Sequence, residues 1–174
     1  MILFFLLFNL DTKIFNYIHS DLKSPGLDYL NNGIEVLSTQ SSLFTAHFFL
    51  FSFGKKKERD VGKIALLSTT SAAFLSTSLK TICNRQRPKR ESSRWDSSFP
   101  STHSAQSMSL AVIYSKKYPK LKLPLYTFSF LVGFSRIYSG EHYPSDVLFG
   151  WLLGYLSGKL FLRYESKIGK IIKN

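Results

Sequence analysis

A single cysteine in 174 residues excludes an internal disulfide framework and any zinc site built from cysteines, so stability has to come from packing. Acids are scarce as well, with 11 Asp plus Glu against 23 Lys plus Arg and a formal charge of +12. A mean hydropathy of −0.02 sets no uniformly apolar character over the chain. Evenly spread, such charge would suit a soluble nucleic-acid binder. It is not evenly spread, and that class is set aside. Neither an internal repeat, a low-complexity tract nor a domain boundary is visible, and the length suits one domain, 1–174. What the chain has in quantity is aromatic: 16 Phe, 9 Tyr and 2 Trp.

The charges stand in clusters between apolar stretches. Residues Ile34 to Phe53 carry one acid, Glu35, at their start, and run into Lys55, Lys56, Lys57 and Arg59; such a stretch can cross a bilayer as a helix. Val61 to Leu79 follows with Lys63 near its beginning, then a charged block from Lys80 to Asp96. Leu123 to Phe134, extending toward Ile137, and Val147 to Leu162 read as further membrane helices. Ser104 to Ser115 is short and half polar, so hydropathy leaves it between a buried core helix and a membrane helix that Lys116 and Lys117 extend by snorkelling. The expectation is an all-α integral membrane bundle: about five transmembrane helices over 34–162, N-terminal interfacial helices in 1–33, and a basic cytoplasmic tail in 163–174.

Met1 to Leu10 is apolar but lacks a basic flank and a small-residue cleavage site, which makes it a poor signal peptide. Phe15 to Leu30, broken at Pro25-Gly26, reads as short amphipathic helices lying in the interface, with the N-terminus resting on the membrane or inserting partway. Alternating five spans puts 14 of the 23 basic residues on one side, which the positive-inside tendency assigns to the cytoplasm. Gly150, Gly154 and Gly158 share one helix face and favour close intramolecular packing over a homodimer seam; oligomeric state stays open. Ser68, Thr69, Thr70, Ser71, Ser76, Thr77 and Ser78 suit the second span to the same close packing.

Three segments on the opposite side share one chemistry. The first is Lys80, six residues, then Arg87-Pro88; the second is Pro100-Ser101-Thr102-His103 entering a helix; the third is Ser135-Arg136, five residues, His142, three residues, Asp146, also entering a helix. Lys80, Arg87 and Arg136 can surround a phosphoryl dianion and favour the charge that spreads over its oxygens during transfer. A helix starting near Ser101 adds backbone N–H donors. A neutral histidine can attack phosphorus if a carboxylate on its other nitrogen fixes the tautomer, and His142 with Asp146 fits that role. His103 is left to protonate the departing oxygen and then activate water. The scheme requires no metal and no cofactor.

These segments resemble the K-x6-R-P, P-S-G-H and S-R-x5-H-x3-D motifs of the type-2 phosphatidic acid phosphatase superfamily, membrane branch, and the resemblance covers most of the chain beyond about residue 34. It implies His142 as nucleophile, Asp146 as its orienter, His103 as acid and base, and Lys80, Arg87 and Arg136 as phosphate ligands, with Ser101 and the backbone of Thr102 and His103 completing the cradle. Thr102 stands where the family usually has glycine, which questions any backbone conformation of positive φ there. The N-terminal region is short for the family's usual six helices, which implies a first span missing or reduced to the interfacial segment.

The resemblance implies a bacterial inner-membrane, multi-pass lipid phosphatase whose site faces the periplasm or outside, with membrane phospholipid or lipid A as partner. The substrate order is lipid A 1-phosphate, then undecaprenyl diphosphate, then phosphatidylglycerol phosphate. A soluble vanadium haloperoxidase and a basic anchor for anionic lipids are the rivals. Outside the motifs, His47 reads as a satisfied packing histidine, His19 as a surface residue and Cys83 as structural filler, while Glu141 is either solvated or tunes the imidazole. Tyr138 and Tyr143 are interface aromatics or pocket walls. Lys89, Arg90 and Arg94 read as a solvated loop attracted to anionic head groups, or as recognition of a second phosphate.

Overall fold

A computed structural model describes residues 2–171, and every described element is helical. Helix α1 (Ile2–Asn16) runs on into a π-helical turn (Tyr17–Asp21). It is followed by α2 (Pro25–Ser38), α3 (Gln40–Phe53), α4 (Lys56–Cys83), α5 (Thr102–Lys117), α6 (Lys122–Tyr138), α7 (Pro144–Arg163) and α8 (Glu165–Ile171). The expected basic tail is therefore partly helical, and residues 172–174 lie outside the described ones.

The termini of these helices follow local rules. Ser24 caps α2 by accepting from the Leu27 N–H, and Pro25 takes the first helical position, where its missing donor costs nothing. The expected break at Pro25-Gly26 is thus a helix start. α2 crosses the expected boundary at residue 33, so no helix end marks that boundary. The expected single span from Ile34 to Phe53 is likewise two helices. They part at Thr39, whose hydroxyl bonds the Val36 carbonyl and accepts from the Ser42 N–H, giving the backbone an alternative to the helical ladder.

Helix α5 is the axis of the molecule, with α4, α6 and α7 packed around it. Its residues 104–115 are all buried, and most are small or hydroxyl-bearing, which places this helix in the interior of the bundle. An inward-facing helix of Ser and Ala lets neighbours come close. A Cβ placed on Gly154 would lie 2.1 Å from the Ala105 carbonyl oxygen, and one on Gly158 2.7 Å from the Val112 side chain. The three-glycine face of α7 is therefore occupied by α5 of the same chain. Of the hydroxyls noted in the second span, Ser68, Thr69 and Ser76 are buried. Ser68 bonds Ser109 at 2.7 Å, and Ser157 donates to the Ser68 carbonyl at 2.9 Å, which stitches α4, α5 and α7 together.

Two apolar clusters complete the packing. Leu43, Val61, Ile64, Ala65, Leu110, Ile113 and Tyr114 join α3, α4 and α5. His47 is satisfied among them, its Nδ1 3.0 Å from the Tyr114 hydroxyl. Phe15, Ile137 and Val147 form the second cluster and dock α1 against α6 and α7. His19 belongs to that docking rather than to a free surface: its ring stacks on Phe15 and its Nδ1 lies 2.8 Å from the Tyr138 carbonyl. Cys83 is exposed at the end of α4.

Among the described residues no helix is long and apolar enough to cross a membrane. Composition and length both contribute. α4 has the length but opens on Lys56, Lys57, Glu58, Arg59, Asp60 and Lys63; α5 is rich in serine; α6 is 17 residues long.

Candidate active site

Alternation of α4 to α7 brings the end of α4, the start of α5, the end of α6 and the start of α7 to one end of the bundle, and every motif residue sits there. Several are fixed by a helix terminus, while Arg87 lies in the loop after α4. Lys80 is in the last turn of α4, which closes on Asn84 in the left-handed conformation (φ 44°). Ser101 caps α5, its hydroxyl oxygen accepting from the Ser104 N–H and hydroxyl. Among the described residues Asn84 is the one non-glycine at positive φ, so Thr102, the first residue of α5, takes helical dihedrals that threonine accepts. No positive φ is required at this position.

The spacing between Arg136 and His142 also has a local cause. After α6 the chain reverses at Gly140 (φ 80°), where the Gly140 N–H donates to the Ile137 carbonyl and the Glu141 and His142 N–H groups both donate to the Arg136 carbonyl at 3.1 Å. This is the Schellman pattern of a glycine-ended helix, and it hangs His142 from the backbone of Arg136.

Lys80, Arg87, Thr102, His103 and His142 line one cavity of about 210 Å³, together with Thr77, Trp95 and Asp96. His142 is buried, and its Nδ1–H donates to the Ser98 carbonyl at 2.7 Å. That bond leaves the Nε2 lone pair toward the cavity, 3.3 Å from an Arg87 nitrogen. Asp146 lies behind His142 rather than on the cavity, with a carboxylate oxygen 3.8 Å from Nδ1, too far for a hydrogen bond. The same carboxylate accepts from the Tyr143 N–H at 2.8 Å, capping α7, and from Arg85 at 2.6 Å.

Ser101 is fully buried and does not line the cavity, its hydroxyl engaged with α5. Arg136 is not among the lining residues; it lies 3.5 Å from Glu35, with a buried Nε that has no partner. A buried guanidinium N–H without an acceptor is costly, and an anion in the cavity is a fitting acceptor.

Burial is the largest cause of the pKa shifts in this cluster, and neighbouring cations add to it. Burial, aided by Lys80 and Arg87 and opposed by Asp146, lowers the His142 pKa to about 4. Burial and the charges of Arg136, His142, Lys80 and Arg87 lower His103 to about 4 as well. Burial and Arg87 bring Lys80 down to about 8, and its ammonium donates to the Ser97 carbonyl. Both imidazoles are thus neutral at pH 7, the form a nucleophile needs and the form a base needs.

Several site residues escape sequence reasoning. Arg87 is held by Asp96 at 2.7 Å and Glu141 at 2.8 Å, and Arg90 bridges the same two acids. Glu141 is therefore no solvated bystander, and Arg90 no loose loop cation. Asp11, Glu35, Asp96, Glu141 and Asp146, five of the 11 acids, pair with the site's cations. Their concentration around one basic cluster is a signal that scarcity of acid alone suggests.

Comparison with known proteins bears on the fold and the family. Among solved structures, the chain is similar to LpxE of Aquifex aeolicus (TM-score 0.76, 31% identity, covering 89% of this chain and 96% of that one). It is also similar to the first transmembrane PAP2 type phosphatidylglycerolphosphate phosphatase from Bacillus subtilis (TM-score 0.80, 29% identity, 94% and 88%). By sequence, it is 39% identical over 71 residues to undecaprenyl-diphosphatase BcrC of Bacillus subtilis (strain 168), 41% of this chain and 37% of that protein. It is 28% identical over 163 residues to a lipid A 1-phosphatase of Porphyromonas gingivalis, 89% of this chain and 35% of that protein. The chain spans about a third of the length of these two curated relatives. Residues 62–170 match the model of the PAP2 superfamily, a stretch that holds all three motifs, and the chain belongs to that superfamily.

Proposed function

We propose that the chain is a membrane-embedded lipid phosphatase that hydrolyses a phosphate monoester or diphosphate through a phosphohistidine, with the 1-phosphate of lipid A as its substrate. The observation that carries the reading is that both imidazoles, Lys80 and Arg87 line one cavity. His142 Nε2 attacks phosphorus while Lys80, Arg87, Arg136 and the first N–H groups of α5 hold the phosphoryl oxygens. His103 gives its proton to the departing oxygen, a proton it gains once a dianion offsets the surrounding cations. Water then loses a proton to His103 and attacks the phosphohistidine, which frees inorganic phosphate and restores His142. Asp146 supports the imidazolium character from behind, and Ser101 and Thr102 hold the α5 terminus against the phosphate. This chemistry needs no metal.

Membrane embedding is supported by exposed large apolar side chains on four helices, among them Phe49, Phe74, Phe130, Leu152 and Leu156. We take α3, residues 61–79, 104–115, 123–134 and 147–162 as the five embedded segments, with Ser-rich α5 in the interior, where it meets protein rather than lipid. The active end then faces the periplasm and the Lys-rich end the cytoplasm of a bacterial inner membrane.

Lipid A is favoured because the similarity to the Porphyromonas gingivalis lipid A 1-phosphatase runs over 89% of this chain. Undecaprenyl diphosphate is the second reading, favoured by the denser identity to BcrC around the motifs. Phosphate release from lipid A, undecaprenyl diphosphate, phosphatidylglycerol phosphate and phosphatidate in matched micelles tests both. Fastest release from lipid A, at the 1-position, is expected. Preference for another lipid overturns the substrate assignment, and release from none overturns the enzyme.

A further inference from the structure

Arg85 lies between the first two cations of the site, but its side chain turns away from the cavity. Its guanidinium bridges two carboxylates: one nitrogen donates to Asp146 at 2.6 Å and to the Ser145 hydroxyl at 2.7 Å, and another to Asp11 at 2.7 Å. Asp11 comes from α1 and is itself buried. It accepts from the Ser145 N–H at 2.8 Å and the Ser145 hydroxyl at 2.6 Å. The guanidinium lies 4.1 Å over the ring of Tyr143, whose N–H binds Asp146.

The backbone of Arg85 reaches the same imidazole by a second route. Its carbonyl accepts from the Ser98 N–H at 2.8 Å, and its N–H donates to the Ser97 hydroxyl at 3.0 Å. Ser98 offers the carbonyl that takes the His142 Nδ1–H. Both groups behind the imidazole, the Ser98 carbonyl and the Asp146 carboxylate, are thus held by Arg85.

We propose that Arg85, clamped by Asp11 of α1, is a positioning residue that sets the orientation and basicity of His142, so that docking of the N-terminal helix completes the active site. The inference rests on His142 being the nucleophile proposed above. Two carboxylates on one cation have a consequence that mere bracing lacks. Without Arg85, the uncompensated Asp146 charge pulls protons toward the Asp146–His142 pair. Without the charge of Asp11, the Arg85 cation bears on Asp146 alone and cancels more of its pull.

The two replacements should therefore move the acid limb of kcat/KM in opposite directions, upward in pH for Arg85→Met and downward for the isosteric Asp11→Asn. We expect kcat to fall about 30-fold in Arg85→Met with KM within about threefold, and by several-fold in Asp11→Asn, as for groups that orient another ligand. Arg85→Lys should recover part of the loss, and the double variant should match Arg85→Met rather than sum the two effects. Thermal midpoints in detergent identify folded variants, and Asp11→Asn decides the matter alone if Arg85→Met does not fold. A folded Asp11→Asn with wild-type kcat and wild-type acid limb overturns the proposal, as do limbs that move the same way. His142→Ala is run alongside. If it is dead while the other variants behave as wild type, the positioning role fails and the nucleophile stands; if it turns over, the nucleophile itself is wrong.

Discussion

Replacement of Gly150 by alanine should damage catalysis more than folding. A Cβ there would meet the Ser101 carbonyl oxygen at 2.5 Å, the Ser104 Cβ at 3.1 Å and the Ala105 nitrogen at 3.4 Å. The closest of these is backbone and cannot swing aside, so reaching an ordinary contact of roughly 3.5 Å requires the start of α5 to move by roughly 1 Å from α7. That start carries Thr102 and His103, and His142 lies just before α7. A shift of about 1 Å between reacting groups costs on the order of 100-fold in rate, while overpacking costs about 1–3 kcal/mol of stability. Gly158 is the control. Its Cβ would meet the Val112 side chain at 2.7 Å, eight residues further along α7 and so about 12 Å from Gly150. Gly158→Ala should lose similar stability and keep its kcat. The assay is phosphate release in matched micelles beside a thermal melt of each variant. A folded Gly150→Ala with kcat within about twofold of wild type, or equal kcat losses in both variants, would refute the argument.

Other outcomes follow from the same geometry. His142→Ala and His142→Gln should abolish turnover and leave no labelled phosphoenzyme on a phosphorus-labelled substrate; near-normal release would exclude the covalent route. Arg136→Lys keeps charge but loses the planar donors, and kcat/KM should drop by about 10- to 100-fold; a change under about threefold would remove Arg136 from the phosphate cradle. Full activity in EDTA is expected, and strict dependence on added Mg²⁺ would contradict the metal-free scheme. Stability should fall on acidification. His103 and His142 take up protons near pH 6.5 when unfolded but only near pH 4 when folded, so between those values the unfolded state binds more protons. Melting points should drop from pH 7 to pH 4.5, and saturating inorganic phosphate, which raises both groups, should flatten the slope. A melting point independent of pH across that window would mean that the histidines are not depressed.

The second and third motifs were legible because helix ends fix them, and helix ends obey local rules. Arg136 and His142 are joined by one glycine turn, and Ser101 is an N-cap. The helical character of 61–79, 123–134 and 147–162 was legible for a similar reason, as apolar stretches bounded by charge. The break at Thr39 was not, since it depends on hydroxyls choosing local carbonyls inside an otherwise apolar run. Nor was the central place of α5, because a count of apolar letters does not register that small hydroxyl-bearing residues pack well against other helices. The pairs Asp11 with Arg85 and Glu35 with Arg136 join segments about 70 to 100 residues apart, and no periodicity marks such contacts.

The hook at Gly140 has its own corollary. Because the amide of His142 is tethered to the carbonyl of Arg136, the interval between guanidinium and imidazole is a gauge cut into the main chain. Exchange of either side chain leaves the gauge intact, whereas one residue added between them would turn the ring away from its target with every functional group still present.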